Sequence, residues 1–215
     1  MQNINEILRI LKKETEKYNE ILVSDYVWKK YRDPLKVLIA IVLSIRSKEE
    51  NTLKSCENLF SKIKTPEDLL NIPEDQVISL IKPCGLPKQK ARWIKEIAKY
   101  YIDNHYKLPK NTNELIKLPG VGRKVANVYL SVVYGENVIA VDTHVHRIFN
   151  RLGIVSTKTP EETEKELYKI IPKRWWKNIN KIFVKFGRNV CLPRNPKCEI
   201  CPIKNKCKYY LLKNK

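Results

Sequence analysis

Glycine is scarce in this chain, with six residues in 215. Two of them, Gly120 and Gly122, stand one residue apart in the stretch Leu118, Pro119, Gly120, Val121, Gly122, Arg123, Lys124. Acidic residues are also short, 23 Asp and Glu against 42 Lys and Arg, which leaves a formal net charge of +19. That imbalance points to a polyanionic partner, most simply nucleic acid. A lysine-rich surface of the kind found in some thermophiles would carry the same sign. Long hydrophobic runs are missing. The longest, residues 35–45, is interrupted by Lys36 and Ser44 and is too short to span a bilayer. It has the character of a buried core helix. Residues 1–10 lack the apolar centre of a signal peptide. The expectation is an intracellular protein with no membrane segment. No run alternates convincingly with period two, and residues 138–141 are the best strand candidate. No low-complexity linker and no fixed-period repeat is present, so the chain reads as all-α.

Helical signals fill most of the rest. Ile4, Ile7, Leu8 and Leu11 form one stripe within a predicted helix over 2–20. Asp33 and Pro34 supply an N-cap and a first-turn proline, opening a core helix over 34–46. Thr65-Pro66-Glu67-Asp68 and Thr159-Pro160-Glu161-Glu162 repeat that start, with an acid at the third helical position. Further helices are predicted over 49–62, 66–71, 74–82, 87–105, 112–118, 122–134, 143–151, 160–170 and 174–187. Gly85 and Gly135 fall between helices as stops or turns. The basic tail from Lys208 is expected to fray, apart from 209–212.

The paired glycines sit at a predicted helix–hairpin–helix. Pro119 ends the first helix, and glycine permits positive φ and close approach of a partner. The N–H groups of Gly120, Val121, Gly122 and Arg123 would then face outward, as in a phosphate site. An ordinary helical corner with a surface lysine has the same pattern.

Four of the six cysteines crowd the C-terminus. Cys191, Cys198, Cys201 and Cys207 are separated by six, two and five residues. In a reducing compartment such a group is a metal site rather than a disulfide framework. The spacing suits either four-coordinate zinc or a [4Fe–4S] cluster. Between the first two cysteines, Arg194 and Lys197 stand among two prolines. A rigid basic loop pinned by a metal centre suits a phosphate backbone.

Asp142 precedes the apolar-periodic Val145, Ile148 and Phe149, so it is placed as an N-cap. A carboxylate can cap and still act chemically. Lys124 is its candidate counterpart: an amine in the first turn of a helix, beside Arg123, sits in a positive field that favours its neutral, nucleophilic form. Such an amine can attack a sugar carbon and form a Schiff base, while the carboxylate takes its proton and stabilises positive charge on the sugar. His144 and His146 lie two apart on one predicted helix and do not share a face for chelation. His144 is read as a helper on the DNA-binding side or a structural residue.

Taken together, the 118–124 hairpin, Val141–His144 in order, and the cysteine spacing resemble the endonuclease III group of helix-hairpin-helix DNA glycosylases, over residues 33–207. The resemblance implies two helical domains flanking a DNA-binding cleft. One is a six-helix barrel over 27–136, with the helix-hairpin-helix at 112–134. The other joins 1–26 to 137–215 and carries a [4Fe–4S] cluster in its 191–207 loop. It implies a monomer that removes oxidised pyrimidines from damaged double-stranded DNA and cleaves the abasic site by β-elimination. In that reading Lys124 is the nucleophile and Asp142 the catalytic aspartate. The target nucleotide is flipped from the stack, and Leu86 is an apolar wedge entering the gap, unless it is a buried helix-end leucine. The family usually has a glutamine in the turn after the core helix, where this chain has Arg46. Arginine donates bidentately to guanine but accepts nothing, so the preference for the opposite base is expected to shift towards guanine. The alternatives are a monofunctional thymine or adenine mismatch glycosylase, a non-catalytic DNA-binding module, and a zinc-stabilised nucleic-acid-binding protein.

Overall fold

A computed structural model describes residues 3–213. In chain order the helices are α1 (Ile4–Glu16), α2 (Val23–Tyr31), α3 (Pro34–Ser44), α4 (Glu49–Lys62), α5 (Pro66–Asn71), α6 (Glu74–Leu80) and α7 (Pro87–Asp103). They continue as α8 (Thr112–Leu115), α9 (Arg123–Tyr134), α10 (Thr143–Leu152), α11 (Pro160–Ile170), α12 (Trp176–Asn189) and α13 (Lys208–Lys213). The described residues contain no strand, so the protein is all-α. No described helix is long and apolar enough to cross a membrane. Contacts divide the chain into two compact units. One is residues 21–136; the other joins residues 1–20 to 137–215.

The local start signals work as their chemistry requires. Asp33 accepts from the N–H of Lys36 at 3.1 Å at the start of α3. Thr65 and Asp68 form a reciprocal capping box on α5. Thr159 accepts from the N–H of Glu162 at 3.2 Å on α11.

The first unit is organised on α3. Eight of its eleven residues are buried, leaving no solvent stripe, and α2, α4, α7 and α9 surround it. The helix stops at Ser44, two residues before the predicted end. Ser44 Oγ donates to the Ile41 carbonyl at 2.6 Å, and Arg46 turns left-handed at φ 49°. The second unit packs α1 against α12, and α12 against α10. Ile7, Leu8 and Leu11 of α1 meet Val145, Ile148 and Phe149 of α10 in one core, where Phe149 stacks on Phe183 at 4.4 Å.

Residues 138–141 form no strand, and no other described residue forms one to pair with. Their polar groups go to side chains instead. The Ile139 N–H donates to Tyr168 Oη at 3.0 Å, and the Ala140 carbonyl accepts from Asn180 Nδ2 at 3.1 Å. The predicted helix over 112–118 shortens to the single turn Thr112–Leu115, because the chain tightens at once into the hairpin.

Candidate nucleic-acid interface and active site

The hairpin is built from two tight turns. The Leu118 N–H donates to the Leu115 carbonyl at 3.0 Å, and the Val121 N–H to the Leu118 carbonyl at 3.1 Å. Leu118 and Val121 are buried and anchor the turn. Across it, Thr112 Oγ1 donates to Asn127 Oδ1 at 2.8 Å and ties the short helix to α9.

The two glycines serve different ends. Gly120 has φ 72°, and a Cβ there would fall 2.5 Å from Cε3 of the Trp93 ring. Both the backbone and the indole therefore demand glycine. Gly122 has an extended φ of −87° and serves as the N-cap of α9. Nothing lies within 4 Å of its missing Cβ. The first turn of α9 has no side-chain cap, so an exposed helix start is left open beside bare backbone. The expectation of positive φ holds for Gly120 and not for Gly122. Arg123 is exposed and Lys124 is half-buried in this first turn. Lys124 Nζ has no hydrogen-bond or ion-pair partner among the described residues.

Two further predicted residues sit on neighbouring left-handed turns of the same unit. Arg46 follows α3 with φ 49°, and Leu86 is the N-cap of α7 with φ 59°. Both are exposed, Leu86 by 45%, which removes the reading of a buried helix-end leucine. A Cβ on Gly85 would fall 2.9 Å from the Arg46 carbonyl oxygen, so the two turns touch backbone to backbone.

Asp142 lies in the other unit and is the N-cap of α10. Its Oδ1 accepts from the N–H groups of His144 at 2.9 Å and Val145 at 3.0 Å. Its Oδ2 accepts from Asn180 Nδ2 at 3.3 Å. The carboxylate is half-buried and oriented through both oxygens. His144 lies against Arg147, with Nδ1 3.2 Å from Nη2, and its ring occupies the space a side chain on Gly187 would need. His146 contacts Thr163 Oγ1 at 2.6 Å, so the two histidines have separate surroundings.

The four C-terminal cysteines come together. All four rim one pocket, with Ile148, Leu152 and Phe186 behind them and Tyr209 and Tyr210 at its side. Burial pushes the Cys201 thiol up to about 11 and raises Cys207 as well. Arg151 Nη1 donates to Cys191 Sγ at 3.3 Å and to the Leu192 carbonyl at 2.7 Å, and its Nη2 reaches the Pro193 carbonyl at 2.7 Å. Arg147 Nη2 donates to the Cys191 carbonyl at 2.8 Å. No three His, Cys, Asp or Glu side chains among the described residues are gathered as a single-ion site. Four soft donors around an apolar-backed pocket fit an iron–sulfur cluster. Arg194 and Lys197 are exposed on the loop that leaves this pocket.

Residues 39–173 match the model of the HhH-GPD superfamily of base excision DNA repair proteins. Residues 191–207 match the iron–sulfur binding domain of endonuclease III. Endonuclease III of Thermotoga maritima is 46% identical over 187 residues, covering 86% of this chain and 88% of that protein. The chain belongs to the endonuclease III family. Bacillus subtilis endonuclease III is 38% identical over 180 residues, covering 83% of this chain and 82% of that protein. A trapped endonuclease III–DNA covalent intermediate superposes over 100% of both chains, with a TM-score of 0.86 and 35% identity. A thermostable thymine-DNA glycosylase is similar over 97% of this chain and 96% of its own, at a TM-score of 0.84 and 25% identity. As a member of the endonuclease III family, the protein carries a [4Fe–4S] cluster.

Several site residues escaped the sequence reading. Asn180, Arg147 and Arg151 place or tether the predicted groups, as does Trp93. The two arginines stand four apart on α10 and so share a face, a pattern that would have exposed them. Asn180 and Trp93 carry no local signal.

Proposed function

We propose that this endonuclease III family protein is a bifunctional DNA glycosylase and abasic-site lyase whose nucleophile is Lys124. The observation that carries the reading is the unpaired Lys124 amine in the uncapped first turn of α9, directly behind the glycine hairpin. The Gly120 and Gly122 N–H groups and the uncapped start of α9 at Arg123 hold the phosphates of damaged duplex DNA, while the Val121 N–H, expected from the sequence to face outward, is taken by the Leu118 carbonyl inside the turn. The neutral amine attacks C1′ of an extruded oxidised pyrimidine nucleoside, and the C1′–N bond breaks with its electron pair leaving on the base. The amine's proton passes to Asp142, whose charge also stabilises the sugar as positive character develops. The sugar ring then opens: the amine's lone pair forms C1′=N as the C1′–O4′ bond breaks and O4′ takes a proton, giving a Schiff base that promotes loss of a C2′ proton and departure of the 3′ phosphate, a β-elimination that nicks the strand. Water then releases Lys124.

Arg46 and Leu86 fill the gap left by the extruded nucleotide, and His144 supports the aspartate side of the site. Cys191, Cys198, Cys201 and Cys207 are the cluster ligands. The cluster pins the loop that presents Arg194 and Lys197 to the backbone. The protein acts as a monomer inside the cell. The barrel domain takes the unit of residues 21–136, starting before residue 27 so that α2 stays whole, and the cluster domain takes residues 1–20 with 137–215.

Borohydride reduction during reaction with duplex DNA containing thymine glycol tests the reading. The expected product is a covalent adduct through Lys124 that is lost in Lys124→Gln. Base release with no adduct in the wild type would instead indicate a monofunctional glycosylase.

A further inference from the structure

Lys90 is fully buried, at 0% exposure. Its Nζ donates to the Leu43 carbonyl at 2.7 Å and the Ile45 carbonyl at 2.6 Å. No carboxylate forms an ion pair with it among the described residues, and burial pushes its pKa down, opposed by the smaller influence of Cys84. A buried ammonium without a counter-charge is an expensive way to fill space. Its location gives it another use. The two carbonyls belong to the last turn and the C-cap of α3, where the helix dipole favours a cation. The next residue is Arg46, in a left-handed conformation.

Lys90 also sits in the first turn of α7, and its N–H donates to the Leu86 carbonyl at 3.0 Å. Leu86 is left-handed too. Strained non-glycine residues persist where their surroundings over-determine them. Here the two meet through the close approach of Gly85 to the Arg46 carbonyl. One side chain thus joins the carbonyls that precede one strained turn to the helix start that follows the other.

We propose that Lys90 is a positioning residue that locks the Arg46 and Leu86 turns into one rigid, two-pronged element for holding open the DNA stack. The proposal rests on the reading of Arg46 and Leu86 as gap-filling residues. A flexible pair of loops would have to be ordered on every encounter with DNA. The locked pair enters the duplex already shaped, and both prongs advance together.

The test compares two substrates. Excision of thymine glycol from duplex DNA requires the stack to be opened. Covalent trapping on a single-stranded abasic oligonucleotide does not. In Lys90→Met, duplex excision is expected to fall by about tenfold to a hundredfold, as for other misplaced groups, while single-strand trapping stays close to wild type. Gly85→Ala, which pushes the two turns apart without touching the ammonium, is expected to show the same split and serves if Lys90→Met does not fold. Fluorescence of 2-aminopurine placed opposite the lesion should rise on binding of wild type and stay low with either variant. Equal effects on both substrates, or no effect on either, would overturn the proposal. Arg46→Ala and Leu86→Ala separate its failure from that of the reading beneath it. If these show the split and the Lys90 and Gly85 variants do not, only the positioning role falls. If these lack the split while wild type excises normally, the gap-filling reading falls and the proposal with it.

Discussion

Replacing Asp142 with asparagine and with alanine separates its two roles. Asparagine is as good an N-cap as aspartate, so its Oδ1 can keep both bonds to the His144 and Val145 N–H groups. The other position becomes an NH2 facing Asn180 Nδ2, donor against donor, where the carboxylate oxygen accepts at 3.3 Å. Asn180 cannot simply turn its amide round, since the same nitrogen donates to the Ala140 carbonyl at 3.1 Å. Loss of that one bond should cost Asp142→Asn about 1 kcal/mol, lowering Tm by about 2–4 °C for a chain of this size. Alanine loses the cap as well and should cost about 2–3 kcal/mol. Catalysis should not follow this ranking. Removing a proton acceptor and its charge should slow single-turnover base release by about a hundredfold or more in both variants, with DNA binding by Asp142→Asn nearly unchanged. The assays are calorimetric melting, gel-shift affinity and single-turnover kinetics on a thymine glycol duplex. If Asp142→Asn releases base within a few-fold of wild type, or if activity and DNA binding fall in step with Tm, Asp142 is a cap only and the mechanism is wrong.

Gly120→Ala must accept φ 72° and displace the Trp93 ring, so it should lose about 2–4 kcal/mol of stability by chemical denaturation. Gly122→Ala has open space for its Cβ and should change stability by no more than about 1 kcal/mol. If the α9 start holds a phosphate as proposed, the added carbon should still weaken DNA binding; normal affinity would remove Gly122 from the interface. Arg46→Gln, compared with wild type across the four opposite bases, should erase a preference for guanine, and an unchanged preference would sink the assignment. Cys198→Ser, or treatment with an iron chelator, should abolish the visible absorption of the cluster and weaken DNA binding, while circular dichroism still reports the α1, α10 and α12 core.

The legible parts of the sequence were those whose signals act within one helical turn. Asp33, Thr65 and Thr159 were readable as caps because the N–H groups they satisfy lie three residues away. Gly120 was readable because a left-handed turn after Pro119 needs glycine whatever packs on it. The four cysteines were readable because 17 residues leave little freedom to place them apart. These local features, in this order, also carried the family.

Tertiary structure decided what depends on residues distant in the chain. Residues 138–141 have strand-like composition, but a strand needs a partner, and Tyr168 and Asn180 satisfy the backbone instead. Lys90 looks like any lysine of an amphipathic helix until the fold brings the carbonyls of Leu43 and Ile45 to it, 47 and 45 residues away. Trp93 under Gly120 and Asn180 beside Asp142 are equally silent in the sequence. A cap is chosen by the turn it closes. The partner of a buried polar group is chosen by which carbonyls and carboxylates the packed helices leave unsatisfied, and only the folded chain makes that choice.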